Sequence, residues 1–225
     1  MSLRLTGALA ATVLALPLAA QTPFQGVVKY RMTSDGRSFD IVYMTKGDRV
    51  RTEMEMDGMQ VFMLMDAGKA TMTTVMPDQR MYMTMDLNRM AGRVAQQDTT
   101  VPKITRTGRT ETIAGHTCEH FLMGDKQDVD VCVASGLGYY LGGSESQRGR
   151  SSGFGLPRAG DPRWRQFREM FADGFFPLKT TMTEGGKVKA EMVATSVEPR
   201  TLSDDVFAVP AGFQEMRMPG MGNRP

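Results

Sequence analysis

Thirteen of the chain's 21 methionines fall between Met32 and Met90, and many recur at every second residue: Met54 and Met56, Met63 and Met65, and Met81, Met83 and Met85. A thioether can do two kinds of work. It is a soft donor for Cu(I), and, being unbranched and polarisable, it makes an apolar surface that adapts to partners of varied shape. A spacing of two puts side chains on one face of a β-strand, so these residues predict a continuous sulfur-rich wall on a sheet. Copper ligation needs two or three sulfurs converging on one point, whereas a sheet spreads them over several strands. An apolar, lipid-like ligand is therefore the better match, with Cu(I) behind it and no metal or cofactor assigned. The same side chains could also close a solid core, with Met standing in for Leu.

The elements that would position this wall follow from the pattern of β-branched, aromatic and methionine residues between Phe24 and Asp86. It predicts strands over 24–33, 38–46, 49–57, 59–66, 70–76 and 80–86. Breaks at Ser34-Asp35-Gly36, Gly47-Asp48, Asp57-Gly58, Ala67-Gly68 and Pro77-Asp78 read as hairpin turns, so neighbours run antiparallel as a meander. Val50, Thr52, Met54 and Met56 share one face of their strand, against a wet face of Arg49, Arg51, Glu53 and Glu55. Strand 59–66 is apolar on both sides, which predicts a central place or a covering element. Asp86 can cap a first helix carrying Leu87, Met90, Ala91 and Val94 on one side. A second helix starts at Asp161 and Pro162 and stops before Gly174, and its aromatic stripe of Trp164, Phe167 and Phe171 is expected to roof the methionines. Later strands are expected around 104–113, 175–184 and 187–197.

Residues 1–20 read as a secretory signal peptide: Arg4, an apolar run from Leu5 to Leu18, then Ala19 and Ala20. The run is too short to span a membrane, no later stretch makes a transmembrane anchor, and no cysteine sits at the junction for lipid attachment. The expectation is an exported chain, soluble in a periplasm or outside the cell. Residues 21–214 then form a single β-rich domain with a flexible Gly/Ser/Arg loop at 142–160, and 215–225 is a disordered tail. The net charge is +2, and it falls to +1 without Arg4. Interspersed charge of this kind argues against a nucleic-acid partner.

Cys118 and Cys132 are the only cysteines, and an even pair in an exported chain predicts one disulfide. Segments Thr117 to Met123 and Asp128 to Val133 flank a turn at Gly124-Asp125-Lys126-Gln127. A hairpin centred on Asp125 sets Cys118 opposite Cys132 and His120 opposite Asp130. With a free Cys118, the run His116-Thr117-Cys118-Glu119-His120 would be a fair metal triad. The disulfide removes the thiolate and leaves His120 and Asp130 as a cross-strand polar pair.

No catalytic residues are assigned. There is no Gly-x-Ser-x-Gly elbow, no His-Glu-x-x-His helix and no phosphate-cradling Gly loop followed by Lys. Two histidines on one strand leave little general-base capacity, and the chain reads as a non-enzyme.

Four stretches carry a family resemblance: Phe24-Gln25-Gly26-Val27-Val28-Lys29-Tyr30, Lys46-Gly47-Asp48-Arg49-Val50-Arg51-Thr52-Glu53-Met54, Met81-Tyr82-Met83, and Asp205-Val206-Phe207-Ala208-Val209-Pro210-Ala211-Gly212-Phe213. Together they resemble a bacterial exported family, the domain of unknown function numbered 4412, over most of the mature chain. More distantly the chain is similar to the superfamily of outer-membrane lipoprotein carriers. That resemblance implies a curved antiparallel half-barrel with helices plugging an apolar concavity that holds acyl chains. It transfers no site residue.

The expected fold is thus mainly β (α+β), a curved antiparallel sheet or half-barrel with two covering helices. The expected function is non-enzymatic binding or carriage of an apolar ligand at the cell envelope. Met54, Met56, Met63, Met65, Met81, Met83, Met85, Trp164, Phe167 and Phe171 form the expected site. The alternative is a structural or protein-interaction envelope protein with a closed core and an unknown protein partner.

Overall fold

Short turns between runs of two-residue period leave each strand little choice but to fold back on its predecessor. The computed structural model describes residues 24–56, 58–88, 103–141 and 164–216. Strands β1 (Gln25–Ser34), β2 (Arg37–Lys46), β3 (Arg49–Met56), β4 (Met59–Asp66), β5 (Thr71–Met76) and β6 (Met81–Asp86) form the antiparallel meander expected. The boundaries agree to within a residue or so because the turns hold residues that accept left-handed backbone, such as Gly47 at φ 59°. A 3-10 turn, η1 (Pro77–Gln79), joins β5 to β6, with Arg80 at φ 51° donating its N–H to the Pro77 carbonyl.

The second half supplies β7 (Ile104–Ile113), β8 (His116–Met123), β9 (Val129–Ala134), β10 (Gly138–Tyr139), helix α1 (Trp164–Met170), β11 (Gly174–Glu184), β12 (Lys187–Pro199), a 3-10 turn η2 (Asp204–Phe207) and β13 (Gln214–Glu215). All strands join one open sheet in the order β13-β6-β5-β4-β3-β2-β1-β12-β11-β9-β8-β7, with β10 beside β11. The sheet does not close into a barrel, since β13 and β7 stand at its two ends. Among the described residues only β10 and β13 pair in parallel, over two residues each. The join between the halves is β1 with β12, and it is tight: a Cβ on Gly26 would lie 2.3 Å from the Glu198 carbonyl oxygen.

The main core straddles this join. Val28, Tyr30, Tyr43, Phe176, Leu178 and Met192 are almost fully buried there, and both disulfide sulfurs belong to the same cluster. The Tyr30 hydroxyl donates to the Pro177 carbonyl at 3.0 Å, and the Tyr43 hydroxyl accepts from the Leu141 N–H at 3.0 Å. Burial pushes both phenols, and that of Tyr140, well above the ordinary tyrosine range.

Three expectations need correction here. The two covering helices are replaced, among the described residues, by one: α1. At seven residues it is about 10 Å long and can shield little of a sheet this wide. Asp86 does accept from the Asn88 N–H at 2.9 Å, the start of the first expected helix, but Met90, Ala91 and Val94 lie outside the described residues. The wet face of β3 is not simply wet. Segment 202–213 lies across it, through Lys46 and Arg49 to Asp204 at 2.6 and 2.7 Å and Arg51 to the Val206 carbonyl at 3.1 Å. Beneath it Phe62, Leu64 and Val75 pack with Tyr82, Val209 and Phe213, which explains why strand 59–66 is apolar on both sides. Finally, the expected tail begins inside the sheet: Glu215 pairs with Tyr82, and the Met216 N–H donates to the Tyr82 carbonyl at 2.7 Å.

The Cys118–Cys132 disulfide is present, with Cα atoms 5.3 Å apart. Its register differs from the expected one by two residues: Cys118 pairs with Ala134, and His120 with Cys132, so the bridge runs diagonally. The cause is the turn, where five residues from Gly124 to Asp128 separate the closing pair Met123 and Val129. Gln127 takes φ 53° and donates its N–H to Gly124 O at 3.0 Å. Opening the bridge with a reductant, or by Cys118→Ser, should lower unfolding free energy by about 3 kcal/mol, read as a shift in urea midpoint at constant slope. A disulfide fits an oxidising compartment. Among the described residues no helix is long and apolar enough to cross a membrane. Residues 1–20, 142–160 and 217–225, expected to be leader, loop and tail, lie outside the described residues.

Candidate functional site

Directly paired residues of antiparallel strands share a face, with Cβ atoms about 4.5–5.5 Å apart. The register of β3 to β6 therefore lays the methionines out in rows across the strands. One row runs Val50, Met65, Met72, Met85, and the next Thr52, Met63, Thr74, Met83. Met54 pairs with Ile41 on one side and Val61 on the other, and Met76 pairs with Met81. Met54, Met63, Met65, Met81, Met83 and Met85 thus stand on one face of the sheet, on β3, β4 and β6, with β5 between the last two. Met56 pairs with Met59 through its backbone.

This face is neither sealed nor fully open. Those six methionines are half-buried, Met72 is buried and Met59 is 50% exposed. Met65 packs against the main core, so the wall grades into the interior on its β2 side. Met72 and Met76 belong to the wall but were not among the expected site residues. Their strand has only two methionines, at a spacing of four, and the register alone shows that they align with Met65, Met81 and Met85. The charged side chains at Arg49, Arg51 and Glu53 point to the other face, where Arg51 sits 3.7 Å from the Phe62 ring centroid. The apolar and ionic halves of these strands are thereby separated by the pleat alone.

The expected roof is placed differently. Phe171, just past α1, is buried in a separate cluster with Met123, Val129, Val131, Val133 and Phe175, and its ring centroid lies 5.1 Å from Phe121 and 4.8 Å from Phe175. These residues come from β8, β9 and β11, separated from the wall by β12, β1 and β2. The side chains of Trp164 and Phe167 lie outside the described residues.

A second site was only partly visible in the sequence. His120, 7% exposed, has Asp130 Oδ1 at 2.7 Å from Nδ1 and Glu111 Oε2 at 3.2 Å from Nε2. The His120–Asp130 pair was expected; Glu111 and Lys179 were not, because they arrive from β7 and β11. Arg109 holds Asp130 at 2.5 Å and Lys179 lies 3.5 Å from Glu111. A β-bulge aims the β7 residues: register slips between Arg106 and Thr110, and the Thr107 hydroxyl donates to the His120 carbonyl at 2.7 Å. A neutral imidazole has one N–H and can serve one carboxylate, whereas an imidazolium serves both. The group lines a cleft of about 520 Å³ that Thr181 and Glu191 complete.

Comparison with solved structures gives loose likenesses, three of them as follows. An uncharacterized conserved protein from Thermus thermophilus aligns at 10% identity and a TM-score of 0.50, over 88% of this chain and 92% of its own, and so shares the fold. PNGF-II aligns at 14% identity and a TM-score of 0.46, over 86% of this chain and 31% of its own. The MucA/MucB complex structure of Pseudomonas aeruginosa aligns at 12% identity and a TM-score of 0.43, over 87% of this chain and 58% of that one. The chain therefore spans less than two thirds of both PNGF-II and the Pseudomonas chain. No curated protein matches it in sequence. A family profile does match, from residue 24 just before β1 to residue 213 at the end of the segment lying across β3 and β4, and the chain accordingly belongs to the family described as domain of unknown function (DUF4412).

Proposed function

We propose that this chain is a non-enzymatic, exported cell-envelope protein that binds or carries an apolar, lipid-like ligand on the methionine face of β3 to β6. The observation that carries the reading is the alignment of Met65, Met72 and Met85, and of Met63 and Met83, in adjacent rows on one half-buried face. An adaptable apolar face left partly open on a sheet that does not close is a place for a ligand rather than for more core. Segment 202–213 already occupies the opposite face and leaves this one as the available side of the strands. The leader-like residues 1–20 and the disulfide support export, and the distant resemblance to lipoprotein carriers supports an acyl-like ligand.

The test is binding of an environment-sensitive apolar dye, together with native mass spectrometry of protein taken from its own host. Replacing Met63 and Met83 by Glu should weaken dye binding about 10-fold or more, since each change removes a side chain worth roughly 1.5–3 kcal/mol of apolar burial. Met170→Glu, at a 49% exposed position on α1, should leave binding unchanged. Peroxide should convert the wall to sulfoxides and have the same effect as the Glu pair. Dye binding that survives complete oxidation of Met54, Met63 and Met83 would remove the wall as the site. Co-purified copper would favour the thioether-metal alternative, and a bare chain with a protein partner the closed-core one.

A further inference from the structure

The carboxylate–imidazole–carboxylate group around His120 sits directly on the disulfide. Among Glu111, His120 and Cys132, one ligand atom from each lies within 4.8 Å of the others. While the disulfide is closed, Cys132 Sγ is bonded to Cys118 Sγ and is no anionic donor. We propose that opening this disulfide turns the floor of the cleft into a site for a thiophilic divalent cation of the zinc type, held by Cys132 Sγ, His120 Nε2 and Glu111 Oε2.

Three features make the arrangement more than a chance cluster. The donor set is thiolate, imidazole and carboxylate, the ligand types zinc prefers, and a cleft beside it leaves a fourth position for water. Asp130 already lies 2.7 Å from Nδ1, so it fixes the ring tautomer that presents Nε2 to the cation, the usual way a metal-binding histidine is oriented. Nε2 and Glu111 Oε2 lie 3.2 Å apart, a separation that a cation can bridge by entering between the two atoms. Arg109 stays on Asp130, while Lys179, 3.5 Å from the same Glu111 oxygen, must give way to the incoming charge.

The redox step balances with a dithiol donor. The disulfide takes two electrons and two protons, the donor becomes a disulfide, and Cys118 and Cys132 become thiols. The Cys132 thiol loses its proton to solvent as the cation binds, and Cys118 stays protonated. The cleft would thus hold a cation only in the reduced chain, independently of any ligand on the methionine face.

The test uses Co²⁺ as a spectroscopic probe on the full chain. Cys118→Ser frees Cys132 without any reductant, and circular dichroism checks that the sheet is retained. In that variant Co²⁺ should give the intense near-ultraviolet thiolate-to-metal band, which Zn²⁺ then displaces. The oxidised wild-type chain should show no such band. Adding His120→Ala should weaken cobalt binding about 10- to 100-fold, and Asp130→Asn, which keeps the shape but loosens the ring, should do so to a comparable degree. Wild-type protein opened with a phosphine reductant gives the same reading with every side chain intact. A missing band in both reduced forms, or a band indifferent to His120, would overturn the proposal, as would equal affinity in the oxidised chain.

Discussion

Above pH 10 the protein should lose stability at up to about 4 kcal/mol per pH unit, roughly 1.4 kcal/mol from each of three core tyrosines. Tyr30 and Tyr43 are both 0% exposed, Tyr140 packs against both, and burial raises the ionisation of all three well above the ordinary value of 10.0. The unfolded chain releases these protons first, so above pH 10 the native state binds more protons than the unfolded one. Stability must then fall as pH rises, and the tyrosine contribution is fully present below pH 10. Urea unfolding curves between pH 8.5 and 11 measure the slope. Tyr30→Phe should lower it by about a third while costing about 1 kcal/mol at neutral pH, the value of its hydrogen bond to the Pro177 carbonyl. A flat profile, or one that Tyr30→Phe leaves unchanged, would mean that the buried phenols meet water in the native state.

Phe176→Ala should cost about 3–5 kcal/mol, the usual range for emptying a fully buried aromatic site. The ring lies where the two halves of the sheet meet, 5.9 Å from Phe24, 5.8 Å from Tyr43 and 5.7 Å from Tyr140 between centroids, each pair edge to face. These neighbours come from just before β1, from β2 and from the segment after β10, so one cavity would loosen three long-range contacts together. For a chain of this size the melting temperature should fall by roughly 6–20 °C, measurable by calorimetry. Phe176→Leu, which keeps much of the volume, should cost clearly less. If the two variants were equally stable, the ring would not be what joins the halves.

The meander was legible because its information is local. Each strand carries its own period of two, and each turn its own Gly, Asp or Pro, so the shared face of Met54, Met63, Met65, Met81, Met83 and Met85 follows once hairpins are assumed. Pairings set by distance along the chain were not legible. Nothing near Arg49 or Phe62 announces that Asp204 and Phe213 will lie over them, and an alternating strand with arginines outward looks the same whether solvent or a distant segment meets it. The disulfide hairpin shows the intermediate case: the partners were clear, but the centre of the turn sits at Lys126 rather than Asp125, which shifts the pairing by two and turns an opposed bridge into a diagonal one. Glu111 and Lys179 escaped notice beside His120 for a similar reason, since a bulge on β7 and a crossover to β11 bring them there.

The two-residue strand β13 has an effect out of proportion to its length. An unpaired β6 would offer its backbone N–H and C=O groups, beside a row of methionines, as a template for strands of other molecules. Gln214, Glu215 and Met216 occupy part of that border from within the same chain, with donors from Gln214 to the Arg80 carbonyl and from Met216 to the Tyr82 carbonyl. At the opposite border, β7 carries Arg106, Arg109 and a bulge that disrupts straight pairing. A sheet of this breadth can therefore keep one sulfur-lined surface partly bare without fusing edge to edge into fibrils. Trimming the chain back to Phe213 would remove that guard from the methionine side first.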